Sequence, residues 1–418
     1  MSKNKKILPE LRFPEFSDNS DWEEKTLEEL ASRVILKNKD SGISKVFTNS
    51  AAYGIIDQRK YFDKDIANKS NLENYYVVED GDYVYNPRIS NEAPVGPISK
   101  NKTGFTGVMS PLYTVFRFTN KKNQFYEYYF ISRHWYDSIR KSSNTGARFD
   151  RMSITDSAFM NIPVLYPSQK EQQKIASCLS SLDELITTHN HKLETLKNHK
   201  KGLMQNLFPQ EGQKAPNYRF YEFKNDGVWV EKELNQLGNL INGLTYSPKD
   251  VRDEGVLVLR SSNVQNGMID FNDCVFVRPD IKGANLSEPN DILVCVRNGS
   301  KRLIGKNALI PKDIPLATHG AFMTVFRAKH PEFVFQLFQS ETYDKQVKAD
   351  LGATINSING KNFLKYEFLV PKNPEEQQKI ASCLSAVDKL ITAQANRIEQ
   401  LQQHKKGLMQ GLFPKIEN

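Results

Sequence analysis

The sequence has no run of about 18 apolar residues, the length a bilayer-crossing helix needs, and no signal-peptide pattern at its start. A soluble, cytoplasmic protein is therefore expected. Four cysteines (Cys178, Cys274, Cys295, Cys383) are too few for a disulfide framework and read as small apolar packing residues. Catalytic signatures are also missing. The nearest approach to a phosphate-binding loop runs from Gly299 to Gly305-Lys306-Asn307, with the wrong spacing and Asn where Ser or Thr should bind a metal. Asn86-Pro87-Arg88 and Asn161-Ile162-Pro163 are not the Asn-Pro-Pro-aromatic tetrapeptide that holds an extruded adenine, and no Gly-rich segment resembles an S-adenosylmethionine loop. Pro279-Asp280 lacks the partner residues of a nuclease metal site. His189 and His191 have no matching pair elsewhere in the chain, which argues against a metal. Neither a catalytic centre nor a cofactor or metal site is expected in this chain.

One-signed charge is lacking as well. The net charge is +8, yet residues 22–165 carry 20 basic and 17 acidic side chains, and residues 229–370 carry 17 and 16. This permits nucleic acid without demanding it, so a basic surface has to come from local clustering.

What the chain does have is a duplication. Residues 171–209 and 376–414 match without a gap at an offset of 205, with 26 of 39 positions identical. Upstream of the first, Pro9, Arg12, Phe13, Glu15, Phe16, Trp22, Lys25, Leu27 and Leu30 recur as Pro216, Arg219, Phe220, Glu222, Phe223, Trp229, Lys232, Leu234 and Leu237. Between these flanks the halves diverge. Fainter echoes remain in Asp82–Arg88 against Asp291–Arg297 and in Thr114–Arg117 against Thr324–Arg327. Two halves of this kind usually serve a partner with two similar sites.

The repeated blocks carry a heptad seam. Ile175, Leu179, Leu182, Ile186, His189, Leu193, Leu196, Lys200, Leu203 and Leu207 are spaced alternately by four and three, and the second copy matches from Ile380 to Leu412. A helix of 39 residues is about 58 Å long and is marginal alone, so each needs a partner. The other copy is the nearest one. A pseudo-twofold axis across the pair makes the helices antiparallel, and it places Arg12–Phe16 beside Leu412 with the chain ends close together. The alternative, two amphipathic helices each buried in its own half, fits the unbroken repeated seam less well.

The variable blocks read as α+β globules. Strands are expected at Tyr75–Val78, Tyr83–Tyr85, Tyr113–Phe118, Val256–Leu259, Ile292–Val296, Asn307–Ile310 and Thr324–Phe326, and helices at Phe125–Ile139 and Phe333–Lys348. The fold expected is therefore α+β: two mixed, β-rich domains joined by two long antiparallel coiled-coil helices, with an internal pseudo-twofold repeat. The boundaries fall at 1–165, 166–209, 210–370 and 371–418.

Several loops are rich in donors that suit DNA. Arg297, Asn298, Ser300, Lys301 and Arg302 follow a strand, and Asn86 and Arg88 hold the same place in the first half. Asn144, Thr145, Arg148 and Arg151 form a basic loop whose twin carries Thr354, Asn356, Asn359 and Lys361. Arg260, Ser261 and Asn263 make a further polar loop. Arg and Lys read guanine edges, Asn reads adenine edges, and Ser, Thr and Lys hold phosphates. Each residue taken singly could equally be a solvated turn.

The segment Leu11-Arg12-Phe13-Pro14-Glu15-Phe16 with Trp22, the Glu-Gln-Gln-Lys-Ile-Ala block and the ending Lys-Lys-Gly-Leu-Met-Gln-x-Leu-Phe-Pro occur twice, in order. Through them the chain resembles the specificity subunit of type I restriction-modification systems over essentially its whole length. The resemblance implies two target recognition domains, each reading one half of a bipartite, asymmetric site in double-stranded DNA. It implies a helical spacer that docks two methyltransferase subunits, which bind S-adenosylmethionine and methylate one adenine per half-site. Restriction subunits would add ATP- and magnesium-dependent translocation and cleavage. Half-sites on one DNA face lie about 34 Å apart per helical turn, within reach of such a spacer. Two other readings remain: a self-contained methyltransferase or nuclease, and a coiled-coil adaptor that binds proteins and no nucleic acid.

Overall fold

The computed structural model describes residues 7–61, 69–143, 150–351 and 356–414. The chain divides into two compact units, residues 1–189 with 397–418 and residues 190–396.

The first unit is built on an antiparallel four-stranded sheet in the order Ala31–Arg33, Thr114–Phe118, Tyr83–Tyr85, Ile98–Lys100. Its central strands are buried on both faces, so alternate side chains enter different cores. Tyr83, Tyr85, Phe116 and Phe118 join one cluster, whereas Val84 and Val115 join another. The second unit repeats the sheet as Gly238–Asn242, Met323–Ala328, Ile292–Cys295, Asn307–Leu309. There Ile292, Val294 and Phe326 face one core, and Leu293, Cys295 and Val325 the other. The second unit adds a sheet in which Val256–Leu259 pairs in parallel with Ala317–His319.

Each unit opens the same way. The strand Glu23–Thr26 pairs with Pro163–Tyr166, and Val230–Glu233 pairs with Glu367–Val370. Each first strand runs into a one-turn helix closed by a reciprocal cap, Thr26 with Glu29 and Glu233 with Gln236. These turns bury Leu27 and Leu234 completely.

The repeated blocks form helices Gln169–Leu207 and Pro374–Leu412. In the first unit Ile175 and Leu179, from the start of the first helix, share a core with Leu412 and Phe413, and Lys405 pairs with Asp183. In the second unit Leu207 shares a core with Ile380 and Leu384, and Lys200 pairs with Asp388 at 2.7 Å. The start of one helix meets the end of the other in both units, so the pair is antiparallel. Every seam position is buried or half-buried. The two seam lysines end in ion pairs rather than simply reaching solvent.

The expected closeness of the segment around Arg12 to the end of the second helix holds. The Leu11 amide donates to the Gly411 carbonyl at 2.8 Å, and Pro9 bridges Pro414. In the second unit Tyr218 makes the equivalent bond to Asn206 at 2.9 Å. Arg12 then grips Glu171 through two 2.8 Å bonds, and Arg219 grips Glu376 at 2.8 and 2.7 Å.

Two expected helices are each broken in two. Phe125–Ile139 is Gln124–Ile131 followed by Tyr136–Ser142, because Ser132 is extended and the Trp135 indole N–H donates to the Phe130 and Ser132 carbonyls at 3.1 Å. Phe333–Lys348 is Pro331–Leu337 followed by Glu341–Asp350, because the Ser340 hydroxyl caps the second segment by accepting from the Tyr343 amide. Among the described residues no helix is long and apolar enough to cross a membrane, and no cluster of His, Cys, Asp or Glu could hold a metal ion.

Candidate nucleic-acid interface

In the second unit, three loops that the sequence marks for DNA converge. The strand Ile292–Cys295 ends, and the amides of Val296 and Arg297 both donate to the Phe322 carbonyl at 3.0 Å. On the other side Ile358 donates to the Val296 carbonyl at 2.8 Å, and Arg297 bridges Ser357. Asn298 donates from its side chain to the Ser261 hydroxyl at 3.1 Å, and Asn356 donates to the Gly299 carbonyl at 3.1 Å. Ser261, Arg297, Asn298, Ser300 and Asn356 thus share one patch. The Asn298 carboxamide oxygen accepts the Ser300 amide at 3.0 Å and shapes the turn. Arg297 is exposed, with its guanidinium 5.8 Å from the centre of the exposed Phe322 ring. Lys301 and Arg302 are exposed on the next turn, Lys301–Leu303.

Three other candidates in this unit, Asn263, Arg260 and Asn359, have partners within the fold. Asn263 is fully buried, and its amide group donates to the Asp270 and Asp273 carbonyls at 2.9 and 3.0 Å. Its expected base-reading role gives way to a scaffolding one, since burial leaves no edge for a base. Arg260 is tied to Asp273 at 2.8 Å. Asn359 caps the turn Gly360–Phe363 by accepting from the Lys361 amide, and Lys361 itself is exposed.

In the first unit Asn86 is also occupied. It donates to the Asn49 carbonyl at 2.9 Å and accepts the Arg88 amide at 3.0 Å. Arg88 is exposed and bridges Arg151, as Arg297 bridges Ser357. Arg151 pairs with Asp150 at 3.3 Å, while its Nε is buried without a partner. Asn144, Thr145, Arg148 and Thr354 lie outside the described residues.

Two titratable groups near the patch are buried, Cys295 and His319. Burial pushes the Cys295 thiol up to about 11 and holds His319 below its ordinary value. Arg297, Lys301 and Arg302 are exposed at the patch, and Arg260, beside Ser261, is paired with the exposed Asp273. The patch offers hydrogen-bond donors and no arrangement of nucleophile and base. Sequence reasoning missed Phe322, whose signal lies two residues before the repeated Thr-Val-Phe-Arg.

Comparison with known proteins agrees with the duplication. The model of the type I restriction modification DNA specificity domain matches residues 19–198 and again residues 227–403. The MjaVIII specificity subunit of Methanocaldococcus jannaschii is 28% identical over 297 residues, 68% of each chain. The EcoKI specificity subunit of Escherichia coli K12 is 28% identical over 195 residues, 44% of this chain and 41% of that one. Among solved structures, the S subunit of a type I restriction-modification system from M. genitalium shares the fold. Its TM-score is 0.61 at 14% identity, over 98% of this chain and 100% of that one.

Proposed function

The chain belongs to the type I restriction-modification DNA specificity family, and from that premise we propose that each of its two units reads one half of a bipartite, asymmetric DNA sequence. Its function is DNA specificity within a type I restriction-modification complex, and it performs no chemistry itself. Its partners are DNA and the modification and restriction subunits. The recognition domains are residues 1–165 and 210–370. The helical segments 166–209 and 371–418 act as a spacer that fixes the gap between half-sites and docks two methyltransferase subunits. S-adenosylmethionine belongs to those subunits, and ATP and magnesium to the restriction subunits.

One observation carries this reading. The loops after Tyr83–Tyr85 and after Ile292–Cys295 leave the same position of equivalent four-stranded sheets, one in each unit, yet differ in sequence. Equal presentation with different side chains suits two readers of different bases. Exchanging residues 22–165 for the block of another family member tests it. Mapping of methylated adenines should then show one half-site changed and the other retained. A change in both half-sites, or in neither, would refute the modular reading.

A further inference from the structure

The turn before the repeated Thr-Val-Phe-Arg strand has the same construction in both units. Tyr113 donates to the Ser110 carbonyl at 3.1 Å, and Met323 donates to the Gly320 carbonyl at 2.8 Å. Each is a four-residue turn, and each carries a large apolar side chain at its third position. Leu112 is 66% exposed and Phe322 57% exposed. Turn tips ordinarily carry Gly, Asn, Asp or Ser. One exposed apolar residue would need no explanation, but here it recurs in register while the neighbouring loops have diverged.

Both tips stand beside the candidate reading loops. Phe322 accepts two backbone bonds from Val296 and Arg297 and lies under the Arg297 guanidinium. Leu112 stands two residues before Thr114, which pairs with Tyr85, the residue preceding Asn86. A feature common to both halves cannot encode the different bases they read. It fits a task that both half-sites share. Methylation of adenine within a duplex requires the base to leave the stack. Apolar side chains such as Leu and Phe, flanked by cations, open base steps by inserting between them.

From this juxtaposition we infer that Phe322 and Leu112 are wedges that enter the DNA stack at their half-sites and help to open it. The inference rests on the DNA-reading role proposed above. The exposed Arg297 guanidinium over the Phe322 ring favours DNA over a protein surface as the occupant.

The test uses the complete methyltransferase and a duplex bearing its mapped recognition sequence, with 2-aminopurine in place of each target adenine in turn. Phe322→Ala and Leu112→Ala should each shift the opening equilibrium read by 2-aminopurine about tenfold or more towards the stacked state, at one half-site only. The methylation rate of the matching unmodified half-site should fall in parallel, with sequence preference unchanged. Phe322→Leu and Leu112→Phe should restore both readouts. Undiminished signal and methylation in the alanine variants would overturn the wedge while leaving the reading role intact. So would loss of methyltransferase subunits from the complex, which would identify the tips as protein contacts. Absence of sequence-specific binding by the parent complex would overturn both.

Discussion

Replacing Glu376 by Ala removes the residue on which the second unit's entry segment hangs. Its carboxylate is 1% exposed and accepts both Arg219 bonds, at 2.8 and 2.7 Å, and the Trp229 indole N–H at 3.3 Å. Arg219 is itself only 11% exposed. The variant would leave a guanidinium nearly out of water with no counter-charge, and an indole donor with no acceptor. Removing one partner of a buried ion pair costs about 3–5 kcal/mol, more than an exposed pair could. At about 1.4 kcal/mol per decade this is a hundred- to several-thousandfold rise in the population of the opened state. Hydrogen exchange read by mass spectrometry should report it in peptides covering 219–235 and 374–385. The equivalent peptides around Arg12 and Glu171 provide the internal reference. Arg219→Met combined with Glu376→Leu should recover most of the loss, because an apolar pair of similar volume carries no desolvation cost. A change under tenfold in Glu376→Ala, or no recovery in the double variant, would refute the reasoning.

Inserting seven residues at matched positions in both long helices preserves the heptad phase and adds about 10 Å. The gap between methylated half-sites should grow by about three base pairs, with the bases read unchanged; an unaltered gap in methylation mapping would show that the helices are not the ruler. Arg302→Ala and Lys361→Ala should each weaken binding to all sequences alike and reduce the slope of log K against log salt by about one, measured by filter binding of the assembled complex. His134, packed against both Tyr129 and Phe413, is held by burial at about 4 against its ordinary 6.5. The unfolded chain therefore takes up this proton first, and stability of the first unit should fall as pH drops from 6.5 towards 4. His134→Phe should flatten that part of a urea-midpoint-against-pH curve, and an unchanged curve would count against it.

The repeat made the frame readable in advance. A heptad seam and its duplicate dictate two helices, and symmetry dictates their direction. Strands such as Tyr83–Tyr85 and Val256–Leu259 were legible because β-branched and aromatic residues stand between turn signals. The breaks at Ser132 and Ser340 were not, because an amphipathic pattern does not register a serine that turns its hydroxyl on the backbone. The interface was legible as loops but not as residues. Asn86, Asn263 and Asn359 have the composition of base readers, yet an asparagine amide serves equally well to close a turn. Only the fold tells which use was made of it. Phe322 and Leu112 escaped because an apolar residue next to a strand reads as core.

The faint echoes between the halves have a physical cause. Asp82 accepts two bonds from Arg117 at 2.6 and 2.9 Å, and Asp291 accepts two from Arg327 at 2.8 Å. Each aspartate is buried, and each arginine also meets a glutamate, Glu79 or Glu288. The surviving letters of Asp82–Arg88 and Thr114–Arg117 thus include both ends of one clasp. A second clasp survives without its letters. Tyr128 donates to Asp183 at 3.0 Å in the first unit, and Gln336 donates to Asp388 at 3.0 Å in the second. Each aspartate also holds a lysine from the opposite helix. The frame demands a donor there and not a particular residue. At these two clasps, then, the donor that supplies only a hydrogen bond has diverged, and the buried charge pair has not.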